Sequence, residues 1–301
     1  MRRKTSSAWR VARYITLGTA VTLATWAFAI EPGSLRVEQS ELPLPGWDRP
    51  PLRIALLADL HVGSPRNGLD KLEEIVERTN ASRPDLVLLL GDLVIHEVVG
   101  GSFVPPEEIA PVLARLTARH GVWAVLGNHD HWLDAPRVAR SLTSAGIPVL
   151  EDRSAKIQAA GFWLAGVSDY WEGAHDIAKA LSGVTDDAPV LLFTHNPDIF
   201  PDVPPRVTLT LAGHTHGGQV YFPVLGRLVV PSRFGERYAI GHVAEGGRHL
   251  FVSPGTGTSI LPVRFLVPPE ISIVRIVGDR RGRQNAPAAE ASSCNRRVVT
   301  G

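Results

Sequence analysis

The stretch Gly213–Gln219 reads Gly-His-Thr-His-Gly-Gly-Gln and follows directly on the apolar run Val207–Ala212. Two imidazoles one residue apart, among glycines at the end of an expected strand, can both be aimed at one point if the backbone leaves the sheet there, and imidazole is the commonest metal ligand. A His-rich surface turn has the same composition, so this stretch alone does not decide. Other clusters do. Asp59-Leu60-His61 closes the apolar run Leu52–Ala58, Gly91-Asp92 closes Leu86–Leu90, Gly127-Asn128-His129-Asp130 closes Val122–Leu126, and His195-Asn196 follows Pro189–Thr194. Loop ends need turn residues but not histidine, and open α/β sheets gather functional groups at the carboxyl ends of their strands. Together Asp59, His61, Asp92, Asn128, His195, His214 and His216 offer seven N and O donors. One zinc takes about four ligands; seven suit two neighbouring cations sharing a carboxylate.

The elements that must position these groups can be read from patterning. Leu52–Ala58 and Leu86–Leu90 are apolar without clean alternation, as in strands buried on both faces. If strand geometry persists past Ala58, Asp59 and His61 point to one side. Gly68–Ser82 is expected to be an amphipathic helix with Leu69, Leu72, Ile75 and Val76 inward, and helices are expected near Pro106–Arg119, Pro136–Ala145 and Asp176–Leu181. Strand, helix, strand in that order implies right-handed crossovers and parallel pairing. Further β segments are expected around Val149, Lys156 and Phe162–Ala165, then over Tyr238–Ile240, Leu250–Ser253 and Ile271–Val277.

A chain of 301 residues accommodates one large α/β domain or two small ones. A net charge of +1 with scattered basic residues gives no nucleic-acid surface, and the lone Cys294 excludes an intramolecular disulfide or a Cys-based zinc site. Residues 1–30 read as a membrane anchor or signal segment: Arg2, Arg3, Lys4, Arg10 and Arg13 precede the uncharged run Tyr14–Ile30, while Ala27-Phe28-Ala29 leaves cleavage open. Either way the positive flank stays inside and the rest is exported, so an inner (cell) membrane location with the catalytic domain on the outer side is expected. Residues 31–51, rich in proline, read as a linker or an edge strand, 52–278 as the globular domain, and 279–301 as a disordered tail.

The blocks Asp59-Leu60-His61, Gly91-Asp92, Gly127-Asn128-His129-Asp130, His195 and Gly213-His214-Thr215-His216 match in order and spacing those of the calcineurin-like metallophosphoesterase superfamily, which the chain resembles over about 52–277. The anchor, Gly217-Gly218-Gln219, Ser253–Thr258 and Pro268–Ile271 are similar to its membrane-anchored or exported bacterial phosphodiesterase branch, the YkuE- and YaeI-like proteins. The resemblance implies a four-layer α/β sandwich of sheets flanked by helices. It implies Asp59, His61 and His216 on one divalent metal, Asn128, His195 and His214 on the other, and Asp92 bridging, with Mn, Fe, Zn or Co admitted by a thiolate-free donor set. It implies hydrolysis of a phosphodiester, pyrophosphate or phosphomonoester by a metal-bridging hydroxide without a covalent intermediate.

His129 is expected at the leaving oxygen, with Asp130 fixing its tautomer. A lipid-linked phosphoester suits an anchored enzyme, with UDP-2,3-diacylglucosamine hydrolases as distant relatives, although UDP-linked intermediates are cytoplasmic. A non-catalytic membrane-tethered metal scaffold is the competing class, and a monomer is expected. His96, His120, His131, His175, His242 and His249 are expected to be structural or on the surface, and Asp134 outside the chemistry; Trp163, Tyr170 and Trp171 are candidates to line a cleft.

Overall fold

The computed structural model describes residues 7–279, so the tail expected beyond Asp279 lies outside them. Helix α1 (Ser7–Thr25) runs on through a π-helical turn, Trp26–Ile30, and a 3-10 turn, Glu31–Gly33, into strand β1 (Arg36–Leu44). Of the two readings of 31–51, an edge strand is what Arg36–Leu44 forms. It sits at the margin of a sheet, where one side of the ladder is unpaired and Pro43 is tolerated.

Strand β2 (Leu52–Leu57), helix α2 (Leu69–Ala81), strand β3 (Leu86–Leu90), helix α3 (Pro106–Leu113) and strand β4 (Val122–Val125) make two successive crossovers with parallel pairing. Strand β11 (Glu270–Gly278) inserts between β1 and β2, giving a five-stranded sheet of order β1-β11-β2-β3-β4. Helix α4 (Asn128–Ser144) follows β4. The second sheet holds β5 (Arg153–Ile157), β6 (Phe162–Val167), β7 (Val190–Thr194), β8 (Leu209–Ala212), β10 (Arg248–Val252) and β9 (Gly241–Glu245) in that spatial order, with β6, β7, β8 and β10 parallel and helix α5 (Ile177–Leu181) between β6 and β7.

The two-residue period of a strand explains the unbroken apolar runs. Leu86, Leu88 and Leu90 of β3 pack between the sheets with Leu164, Phe193 and Leu211, while Val87 and Leu89 face Leu72, Ile75, Ile109 and Leu142 of the helices. On the far side, Ala165 and Leu192 meet Ile199, Phe200 and Tyr238. Two sheets are thus stacked with helical layers outside both, the expected four-layer α/β sandwich.

Three boundaries differ from expectation. Helix α3 stops at Leu113 rather than near Arg119, because Asn80 of α2 captures the chain: its amide donates to the Arg115 carbonyl and its oxygen accepts from Thr117 N–H. Helix α4 starts at Asn128, ahead of Pro136, and contains a break at Asp134, whose carboxylate accepts from Arg137 N–H and caps the second half. Gly235–Tyr238 is a 3-10 turn where a strand over Tyr238–Ile240 was expected, since the buried Tyr238 ring packs on Phe200 and Phe234 and β9 begins only at Gly241.

Candidate metal centre

All seven expected donors emerge at one edge of the stacked sheets and are buried. Strand geometry does not persist past Ala58, contrary to the reading of Asp59 and His61. Both lie in the left-handed region (φ 50° and 39°), as do Asp92, His214 and His216 (φ 53°, 70° and 51°). Non-glycine residues held there cost about 1–3 kcal/mol each, a strain that surrounding packing must offset. Part of that packing is glycine. A Cβ on Gly127 would come within 2.2 Å of Asp92 Oδ1, and one on Gly257 within 2.7 Å of His61 Cβ, so only glycine lets these loops close on the donors.

The donor atoms converge in two sets that share Asp92. His61 Nε2 lies 3.2 Å from His216 Nε2 and 3.5 Å from Asp92 Oδ2, and His216 Nε2 is 3.5 Å from Asp59 Oδ1. On the other side His195 Nε2 lies 3.3 Å from Asp92 Oδ2, 3.2 Å from Asn128 Oδ1 and 3.0 Å from His214 Nδ1. Ring nitrogens at such separations oppose lone pairs unless a proton or a cation lies between them. Ligands at about 2.1 Å from a common metal stand roughly 3.0–3.4 Å apart, so the donor set fits a pair of divalent ions.

Backbone groups orient these rings. His61 Nδ1 pairs with the Val94 carbonyl at 3.2 Å and His195 Nδ1 with the Leu90 carbonyl at 2.7 Å, which turns both Nε2 atoms inward. Asp59 accepts from His214 N–H through both oxygens, and Asp92 Oδ1 accepts from His129 N–H at 2.8 Å, leaving Oδ2 toward the centre.

Burial drives His61 down to about 3 and holds His214 and His216 well below the imidazole range, so all three present lone pairs. Burial opposes ionisation of Asp92, but the charge and hydrogen bond of His195 outweigh it and hold the carboxyl well below its usual range; burial likewise opposes protonation of His195, which the Asp92 and Asp59 carboxylates nevertheless raise to about 10. Asp59 is pushed up to about 7 by burial, an unfavourable carboxylate that a cation would stabilise.

His129 stands beside this core. Its Nε2 is 3.9 Å from Asp92 Oδ2 and 3.5 Å from Ser259 Oγ, and its Nδ1 is buried without a hydrogen-bond partner among the described residues. Asp130 does not reach it. The Asp130 carboxylate is taken up by three backbone N–H groups, Leu93 and Val94 on one oxygen and Gly127 on the other, so among the described residues it braces the Asp92 and Asn128 loops and makes no hydrogen bond to the His129 ring. Adjacency in sequence misled here, because consecutive residues at a helix start point to different sides.

The cleft aromatics divide. Trp163 is core, with its indole N–H on Asp186, and Tyr170 stacks under Arg233. Trp171 does reach the centre, its ring 4.3 Å from that of His214. Trp132, not anticipated from sequence, lies 4.7 Å from the His129 ring and donates to Glu172 at 2.8 Å; its place one helical turn after His129 was the available signal. His96, on the surface as expected, approaches Trp132 (5.5 Å), and the Asn196 side chain caps the turn at Asp198. A cavity of about 580 Å3 lined by Gly33, Ser64, Lys71 and Ser102 contains none of the seven donors.

Arg264 was also missed. It is fully buried, and its guanidinium donates to the carbonyls of Pro254, Gly255, Gly257 and Val267, clamping the loop that presses on Asp59 and His61. Burial lowers it only to about 10, so it stays charged. Arg264→Met is expected to leave those carbonyls without donors and cost about 3 kcal/mol, read as a fall in Tm of roughly 6–12 °C with weakened metal retention.

Glu151 accepts from Leu126 N–H and faces His131 at 3.7 Å. Burial, with Asp152, Asp130 and Asp169 adding, raises it from 4.5 to about 7. The folded protein therefore keeps a proton that the unfolded chain releases above pH 4.5, and stability from this group, full below that pH, declines as pH rises through 7. Glu151→Gln keeps the acceptor and removes the penalty. At pH 8 its Tm is expected to exceed wild type by about 2–6 °C, with the difference vanishing at pH 4; a constant difference across pH would refute the assignment.

The family model described as calcineurin-like phosphoesterase matches residues 52–218. The chain is 32% identical over 228 residues to the metallophosphoesterase YkuE of Bacillus subtilis, covering 73% of this chain and 77% of that protein. It is 30% identical to phosphodiesterase YaeI of Escherichia coli, covering 86% and 96%. A Danio rerio protein named transmembrane protein with metallophosphoesterase domain is 32% identical over 73% of this chain, which spans 52% of its length.

Proposed function

Since the chain belongs to the calcineurin-like phosphoesterase family, we propose that it is a membrane-anchored binuclear metallohydrolase acting on a phosphodiester or pyrophosphate, or on a phosphomonoester, of a lipid-linked substrate. One observation carries this reading: Asp92 Oδ2 lies between His61 Nε2 and His195 Nε2, so two donor sets meet at one carboxylate. Two divalent ions bound there supply Lewis acidity, acidifying water and neutralising phosphoryl oxygens in an in-line displacement.

The chain's own residues do the rest. Asp59, His61 and His216 would hold one ion, Asn128, His195 and His214 the other, and Asp92 would serve both. His129, with Nε2 at the rim of the centre, meets the leaving oxygen and stabilises its charge. Trp132, beside His129, and Trp171, beside His214, wall the substrate phosphate from water. The name of YaeI favours a diester, and the apolar N-terminal helix, long enough to cross a membrane, favours a substrate presented by lipid. The basic residues before that helix favour the inner membrane, with the domain on its outer face.

The test is hydrolysis of bis-p-nitrophenyl phosphate by manganese-loaded protein. Activity should vanish with a chelator and return with manganese. A non-catalytic scaffold would bind the metal yet give wild type, Asp92→Asn and His129→Ala the same rate, and that outcome rejects the hydrolase.

A further inference from the structure

Outside the donor set, the loops 222–229 and 260–266 expose large apolar side chains: Val224 (94%), Val229 (75%), Ile260 (70%), Leu225 (67%), Leu228 (64%) and Leu266 (49%). Single exposed apolar residues are ordinary, whereas a contiguous group marks an interaction surface. The two loops are joined at their bases. Tyr221 N–H donates to the Phe265 carbonyl and Phe265 N–H to that of Gln219, both at 2.9 Å, and the Phe222 and Phe265 rings lie 5.7 Å apart.

The second loop is bound to the end of the N-terminal helix. Arg264 N–H donates to the Ala27 carbonyl at 3.0 Å, and Val267 N–H to the buried Glu31 carboxylate at 2.7 Å, while Glu31 also accepts from the Trp26 indole. The segment Trp9–Gly33 is long and apolar enough to cross a membrane and is mostly exposed. The apolar surface therefore emerges at the foot of a membrane-spanning helix, fixed to it by hydrogen bonds rather than joined by a free linker. Its other margin is the metal centre. Ile260 follows Ser259, the residue 3.5 Å from His129, and Ser259 N–H donates to the Gln219 side chain at the end of the histidine motif.

We infer that loops 222–229 and 260–266 rest in the surface of the bilayer that the helix crosses, and so hold the mouth of the metal centre at the level of the lipid head groups. This deepens the proposed function and rests on its reading of the N-terminal helix. The occupant is lipid because any bilayer receiving Trp9–Ile30 is delivered to within one hydrogen bond of Arg264, whereas a protein partner would have to compete with it there. Apolar loops entering the interface add affinity in proportion to buried area, and here they also set orientation.

The test uses full-length protein in phosphatidylglycerol–phosphatidylcholine vesicles, with Cys294 replaced by serine and single cysteines carrying an environment-sensitive fluorophore. Leu228→Cys reports the loop and Leu17→Cys the helix. Gln158→Cys, exposed in the turn before β6 at the opposite edge from the donors, is the control. Nitroxide lipids labelled high on the acyl chain are expected to quench the Leu228 label at least about twofold more than the control.

Quenching at Leu17 without quenching at Leu228 overturns the docking surface while keeping the anchor. No quenching at Leu17 overturns both. A Leu228 label shielded from aqueous iodide but blind to lipid quenchers identifies a second copy of the chain as the occupant, and also overturns the proposal. As an independent readout, Leu225→Glu with Leu228→Glu is expected to leave the rate on bis-p-nitrophenyl phosphate within about twofold and to lower the rate on a phospholipid in vesicles by roughly fivefold or more. Equal losses on both substrates would place the loops' effect at the metals. If neither substrate is turned over, the hydrolase reading fails and quenching alone decides the docking surface.

Discussion

Asp92→Asn is expected to lower kcat/KM on a phosphodiester by about 10^3-fold or more and to leave the protein unable to retain two metal ions. The side chain has two separate tasks. Oδ1 accepts from His129 N–H at 2.8 Å, and Oδ2 faces His61 and His195 at 3.5 and 3.3 Å. An amide of the same shape can keep the first contact only by presenting its NH2 group to the cations, and in the reverse orientation it opposes a donor to a donor. In both orientations the shared negative charge is gone. Metal content per chain and steady-state rates test this together. Full activity with both ions retained would show that the two donor sets are held without a charged bridge.

His129→Ala should lower kcat by about 10^2–10^4-fold with metal content unchanged, and the loss should grow as the leaving group becomes more basic. The structure makes the metal measurement decisive, because His129 lies close enough to His61 and Asp92 to join a ligand set. Loss of an ion in His129→Ala would make it a ligand instead of a leaving-group residue. Burial lowers His129 below its ordinary value, so at neutral pH the ring is neutral and has one N–H to offer. The rate should therefore not require a protonated imidazole; a rate that falls as the imidazolium form of this ring is lost would contradict that role.

Much of the centre was legible because its donors sit at the ends of runs whose patterning is local. Leu86–Leu90 could be read as a doubly buried strand from five adjacent residues, and Asp92 follows at once. What failed were inferences from adjacency. Asp130 follows His129 in sequence yet binds backbone on the neighbouring loop, and Asp59 and His61 are two apart yet reach the centre through left-handed backbone instead of a continued strand. Arg264 carried no signal at all, since nothing in Pro-Val-Arg-Phe distinguishes a buried guanidinium from a surface one.

The sequence by itself determined the types and order of the donors, the apolar runs that become strands, and an N-terminal segment able to cross a membrane. Only the tertiary structure decided which atoms face one another. Asp59 meets His216 across 157 positions of chain, Glu31 meets Val267 across 236, and the loop glycines are needed only because another backbone is packed against them. Patterning records how each segment divides water from core, a property of neighbouring residues. Convergence of a carboxylate, imidazoles and a buried arginine depends on how sheets stack and loops close, and that is set by packing between segments far apart in the chain.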